Sequence, residues 1–251
     1  EKELLQKTLY GCVKVLTELL SLVNPTAFAR ACRVKAIVEE LAKGLELADP
    51  WQLELAVMLA HLGYVDMAPE LLERAYRGET LNAADASLME SAPRTATGLL
   101  ADIPRLEAVL GIVDKLAEPL PPLVDVDKQG EGRFKWAAHV IKAAERADQL
   151  SQAKSAKSVI AEILKGEHFD PRVTASFAGV KFGNDEERRV IKIKANELKT
   201  GMLLVEDARS GAGVLMAKAG QEVTPTLAVL LRRMASRSNL MEPLTVSEKV
   251  V

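Results

Sequence analysis

Apolar side chains recur at intervals of three and four along the first 179 residues, which predicts a succession of amphipathic α-helices. The central helix is predicted to begin at Trp51, because the preceding Asp49-Pro50 pair suits an N-cap and a first helical position. Gly44 and Gly78 are predicted to end two other helices, since glycine commonly follows a helix C-terminus. This part of the chain therefore has the pattern of a helical bundle.

The spacing changes from helical to alternating after Arg188. Apolar and basic side chains alternate from here as they do in a half-buried strand, and Thr224-Pro225 has the chemistry of a helix start. Strands are predicted at residues 190–194, 202–205, 214–217 and 244–246. The predicted fold class is therefore mainly α, a helical bundle, with a small C-terminal β-rich α+β domain.

Three segments follow from these patterns. Residues 1–23 form an amphipathic connector helix, residues 24–179 the helical domain, and residues 188–251 the β-rich domain. A polar, glycine-containing linker separates the last two. We expect limited proteolysis to cut within that linker.

The connector helix carries an apolar seam with steps of four and three, as in a coiled coil. One interpretation is that this face packs on its own domain. The other is a coiled-coil connector, either to an upstream module or between two copies of the chain, so a homodimer is expected. The seam consists of Leu5, Leu9, Cys12, Leu16, Leu19 and Val23.

Composition limits the range of functions. The net charge of −2 and the pI near 6.1 provide no general electrostatic attraction for nucleic acid or an anionic membrane. No apolar run approaches the roughly 20 residues that span a bilayer. Cys12 and Cys32 lie in helical patterns and are predicted to be buried thiols, which favours the reducing cytoplasm.

Residues 60–65 read Ala-His-Leu-Gly-Tyr-Val, directly after the central helix. This stretch resembles the His-Asp-Ile-Gly-Lys-Ile motif of the HD-GYP branch of the HD phosphohydrolases. Gly63 matches the family glycine. The His-Asp pair that names the family falls on Ala60 and His61, and the family lysine falls on Tyr64.

Other family motifs are matched in outline but lose their metal ligands. Arg30 stands at the first ligand, three residues before a matching Arg33-Val34 pair, and Ala92 replaces the histidine of a Met-x-x-His-Pro motif. The family's His-His-Glu and Gly-Tyr-Pro signatures have no counterpart at residues 113–122. Glu145 is the one carboxylate retained, in a stretch that resembles Ala-Asp-x-x-Asp-Ala-Leu.

The resemblance implies hydrolysis of a cyclic dinucleotide by a metal-activated water, which needs imidazole and carboxylate ligands. Of the positions concerned, only His61 and Glu145 carry a metal-binding group. We therefore expect no metal, no other cofactor and no catalytic residue. The former ligand positions are Arg30, Ala60, His61, Ala92 and Glu145.

The C-terminal segment resembles a small domain that follows HD-type output domains in bacterial response regulators. The resemblance implies a receiver domain before residue 1 and a non-catalytic output module that binds an unidentified signalling protein. The alternative is a weak or atypical cyclic-di-GMP phosphodiesterase, or a nucleotide-binding relic of the HD superfamily. Metal analysis separates the two interpretations.

Overall fold

The structure is a computed structural model that describes residues 2–47, 50–119, 132–151, 156–165, 169–180 and 188–249. These residues are mostly helical, with a small region of short strands at the C-terminal end, which confirms the predicted fold class. No helix in these ranges is both long enough and apolar enough to cross a membrane. The Asp49 cap lies outside the described residues.

The chain divides into two compact units. The mixed unit consists of Glu1–Cys32 together with Asn184–Val251, and the helical unit is Arg33–Gly183. Helix α1 is Lys2–Val23, and the division falls within α2, Pro25–Gly44.

The strands of the mixed unit are β1 (Arg188–Ile193), β2 (Leu203–Leu204), β3 (Ala208–Arg209), β4 (Leu215–Ala217) and β5 (Leu244–Lys249). β5 lies between β1 and β2 and is antiparallel to both, while β3 and β4 form a separate hairpin. The core of this unit includes buried Leu204, Leu227 and Val246.

Helix α10 (Pro225–Ser236) covers this core, and the Thr224 hydroxyl caps it by accepting from the backbone N–H of Leu227. Helix α1 contacts both α10 and β4, and the Thr226 hydroxyl donates a hydrogen bond to the Glu18 carboxylate. Cys12 of α1 is exposed, so the prediction that it is buried was wrong. Its side chain lies on a different face of the helix from the buried Val13.

The helical unit contains the second part of α2 and seven further helices of the described chain. They are α3 (Trp51–Ala60), α4 (Pro69–Tyr76), α5 (Ala83–Leu100), α6 (Glu107–Leu116), α7 (Gly132–Ser151), α8 (Ala156–Lys165) and α9 (Pro171–Ser176). Helix α3 is central, with contacts to α5, α6 and α7.

Burial of α3 follows from its sequence. Seven of its 10 residues are buried, and they lie on all sides of the helix rather than along one stripe. A helix that is apolar all round is stable only inside a protein core. The tight turn His61–Tyr64 follows it directly and carries the motif that resembles the HD-GYP centre.

Candidate functional site

His61 lies at the end of α3, in the position of the family's bridging carboxylate, and is 1% exposed. Its Nδ1 lies 2.8 Å from the carbonyl oxygen of Val57. Because a carbonyl oxygen only accepts hydrogen bonds, Nδ1 carries a proton and donates it to this contact. The His61 ring is thus oriented by the helix that precedes it.

Aromatic rings surround this histidine. The centroids of His61 and Tyr64 are 5.5 Å apart, and the Tyr64 ring meets the edge of Tyr76 at 6.4 Å. Tyr64 stands at the family's lysine position, so an apolar ring replaces a cation there. The volume around His61 is filled by side chains that pack rather than bind a metal.

The turn is pressed against α5. A Cβ atom built on Gly63 would lie 1.8 Å from the backbone oxygen of Ala92, which only a glycine avoids. Ala92 is fully buried at this contact, and Ala60 is buried one turn earlier in the chain. The structure therefore brings the Ala60–His61 and Ala92 positions together, at a point where two backbones touch.

Glu145 and Arg30 occupy the remaining former ligand positions. Glu145 is half-buried on α7, where its charge acts on Lys142 of the same helix. Arg30 is half-buried on the part of α2 that belongs to the mixed unit. A guanidinium does not bind a metal ion at any ordinary pH, because it stays protonated.

The residues present do not fit the metal of an HD phosphohydrolase. Ala60 and Ala92 have no donor atoms, and Arg30 brings a positive charge. Within the described ranges, no group of three or more histidine, cysteine, aspartate or glutamate side chains is placed to hold a metal ion. Structural and catalytic zinc sites have three or four protein ligands.

The retained motifs serve a different contact that sequence reasoning missed. Arg33 of α2 and Asp148 of α7 form a two-point ion pair, with Nε to Oδ1 at 2.7 Å and an NH2 to Oδ2 at 3.2 Å. Asp148 is 1% exposed. Both residues lie in stretches that resemble family motifs. Their presence in two such motifs was the sequence signal that could have predicted this contact.

A second buried histidine was also missed. His139 of α7 accepts a hydrogen bond at Nε2 from the backbone N–H of Asp170, at 2.7 Å, and its ring meets Phe169 edge-on. The Asp170 side chain in turn caps α9 by accepting from the N–H of Arg172. The Phe-Asp-Pro motif is thus anchored to α7 through His139.

An open cavity of about 570 Å³ lies between the end of α2 and α9. Its lining includes Trp136, and two of its basic side chains form ion pairs. Lys43 pairs with Glu40 at 2.5 Å, and Arg172 pairs with Asp170 at 2.5 Å. This cavity does not contain any of the former ligand positions.

Comparison with known proteins agrees with the resemblance at its coarser level. Residues 14–120 match the family model described as HD domain. This match supports an HD-domain region at these residues. None of the curated proteins matches the chain.

Proposed function

We propose that this protein is a non-catalytic signalling module, the output part of a bacterial response regulator, which acts by binding other proteins. The observation that carries the proposal is that the buried Ala60 and Ala92 have no donor atoms, although the HD-GYP pattern would have metal-binding side chains at both positions.

The loss of ligands supports a role without chemistry. Hydrolysis of a phosphodiester by this superfamily's route needs a metal to activate water. His61 holds one proton against the Val57 carbonyl, and Glu145 lies beside Lys142 rather than in a carboxylate cluster. Two such groups do not form a metal site.

The packing supports it as well. Ala92 is fully buried and Tyr64 stacks near His61, so larger donor side chains at these positions would have to displace neighbours. Overpacking of a filled core is destabilising. The Arg33–Asp148 pair joins α2 to α7 without a metal.

A surface on α1 supports the protein–protein part of the proposal. Exposed apolar side chains recur there with steps of three, four and three, the spacing of a coiled-coil face. We call Cys12, Val15, Leu19 and Leu22 the α1 stripe. Its spacing suits a homodimer in which two α1 helices pair along the stripe.

The α1 stripe overlaps the seam predicted from sequence without coinciding with it. Cys12 and Leu19 belong to both, whereas Leu16 of the seam is half-buried. The side chains of Leu5 and Leu9 lie outside what the structure describes. The second copy of the chain is the occupant we propose for the stripe.

Two measurements on the purified protein test the non-catalytic proposal. Elemental analysis should find less than stoichiometric zinc, iron or manganese. Cyclic-di-GMP should remain intact when any of these metals is added. A stoichiometric metal that is lost in a His61→Ala variant, or turnover that this variant abolishes, would favour the atypical phosphodiesterase instead.

A further inference from the structure

A small recess lies between the end of α6 and the first half of α7. Its lining combines Lys115, Glu118, Lys135, His139 and Lys142, and we call it the α6–α7 recess. It includes none of the former metal-ligand positions. Three ammonium groups and one carboxylate thus share one concave surface.

His139 lines this recess and carries a buried hydrogen-bond donor. Its Nε2 accepts from the backbone N–H of Asp170, so the neutral ring carries its proton on Nδ1. That Nδ1 is buried and has no hydrogen-bond partner among the residues that the structure describes. Buried donors in proteins are almost always satisfied by a protein group, a water or a ligand.

Two of the lysines around His139 contact Glu118, and the third lies at the edge of the recess. The Lys115 ammonium pairs with the Glu118 carboxylate at 2.6 Å, and Lys142 donates to the backbone carbonyl of Glu118. Burial lowers the pKa of Lys142, against the opposing effects of Glu145 and Glu118. Lys135 is exposed at the edge of the recess.

The dimensions allow a small oxygen-bearing group. The recess has a volume of about 10 Å³, which is at the lower limit for one water-sized group. One oxygen of a tetrahedral anion can occupy that volume while its other oxygens stay at the mouth, near the ammonium groups. Lysine binds phosphate as a point charge, without demanding a fixed geometry.

We propose that the α6–α7 recess binds a phosphate group, with one oxygen accepting from His139 Nδ1–H and the others facing Lys142, Lys115 and Lys135. This anion site is independent of the proposed signalling role, because it uses other residues and needs no hydrolysis. It would link α6 to α7 and connect, through His139, to the Asp170 cap of α9.

Histidine NMR on the unmodified protein tests the proposal directly. Inorganic phosphate is titrated at constant ionic strength while the ring nitrogen shifts of the chain's three histidines are followed. The His139 resonances, assigned by their loss in His139→Gln, should move and saturate. His61 is the internal control, because its Nδ1 is held by Val57. If the His139 resonances move neither with inorganic phosphate nor with a nucleoside monophosphate, the proposal is overturned.

Two lysine variants form a matched pair for the affinity. Lys142→Met removes a half-buried ammonium from the recess, whereas Lys165→Met removes an exposed one from α8. Loss of a charge-assisted hydrogen bond should weaken phosphate binding roughly tenfold or more in Lys142→Met. Lys165→Met should bind as the parent does. Equal affinities for both variants contradict a specific site.

A parallel titration with a nucleoside monophosphate identifies the source of the group. Saturation by inorganic phosphate supports the site and assigns it to the free anion. Saturation by the nucleotide alone supports the site and assigns it to a nucleotide phosphate at the mouth. Failure of both overturns the proposal and leaves a trapped water as the partner of His139.

Discussion

The guanidinium of Arg33 and the carboxylate of Asp148 meet at two points, although 115 residues separate them in the chain. The pair joins α2 to α7. Asp148 is almost fully buried and Arg33 retains partial access to solvent. These two residues come from motifs that resemble those of metal-binding HD-GYP proteins, yet here they hold helices together directly.

Of two substitutions at this pair, the one that removes the Arg33 guanidinium should lower the free energy of unfolding more. Arg33→Met leaves a buried carboxylate without its guanidinium, and breaking a buried ion pair in this way costs about 3–5 kcal/mol. Asp148→Asn should cost less, because it removes the buried charge and leaves Arg33 its access to water. Urea unfolding of both variants measures the two free energies.

The exposed pair of Lys43 and Glu40 is the control for that comparison. Lys43→Met should leave the free energy of unfolding almost unchanged, since surface ion pairs contribute little. If Arg33→Met is as mild as Lys43→Met, the buried pair does not hold α2 and α7 together.

The contact between Gly63 and Ala92 gives a second stability prediction. Gly63→Ala should destabilise the protein by at least about 1–3 kcal/mol, because the new methyl group would overlap the Ala92 backbone. Gly98→Ala on the exposed face of α5 is the control, since an added Cβ there meets nothing within 4 Å. It should stabilise by roughly 0.5–1 kcal/mol through helix propensity. Thermal or urea unfolding distinguishes the opposite signs.

Local features of this fold were predictable from sequence. The helix starts at Asp170-Pro171 and Thr224-Pro225 lie where their cap chemistry placed them, and β1 and β5 lie on alternating or apolar segments. Such signals depend on neighbours within a few residues, so they survive without knowledge of the tertiary structure. The β3 strand of two residues was too short to leave a pattern.

Long-range pairings were not predictable in the same way. The Arg33–Asp148 pair and the bond from Asp170 to His139 join residues from distant parts of the chain, and no periodicity encodes them. The contact of α1 with α10 and β4 was not predictable either. An amphipathic pattern predicts which face of a helix is apolar, but not which element packs against that face. The sequence identified Gly63 as a match to the family motif. Only the structure shows that a glycine is needed there because the Ala92 backbone lies too close for a Cβ atom.

Acid should remove part of the stability that Asp170 provides. The Arg172 guanidinium lowers the pKa of Asp170 through its side-chain hydrogen bond, and the N–H of Arg172 acts in the same direction while burial opposes it. A carboxyl with a lowered folded-state pKa stabilises the fold above its unfolded value, about 3.9, and loses that effect as the pH falls through the folded value. The contribution is therefore fully present at neutral pH.

Asp170→Asn tests this, because asparagine is an equally good N-cap and removes only the charge. The parent should be more stable than the variant at pH 7, and the difference should shrink as the pH falls below about 4. Urea unfolding across that range measures it. A difference that stays constant with pH would show that the ionised carboxylate of Asp170 is not its source.

The α1 stripe predicts the outcome of a charge placed on α1. Leu19 is 52% exposed at the centre of the stripe, so Leu19→Asp should leave the fold intact while putting a carboxylate into an apolar helix–helix seam. Light scattering should give a dimer mass for the parent and a monomer mass for this variant. Leu99→Asp on α5 is the matched control, since Leu99 is 62% exposed and lies outside the stripe. It should keep the dimer mass. A monomeric parent, or a dimer that survives Leu19→Asp, would show that two copies do not meet through the stripe.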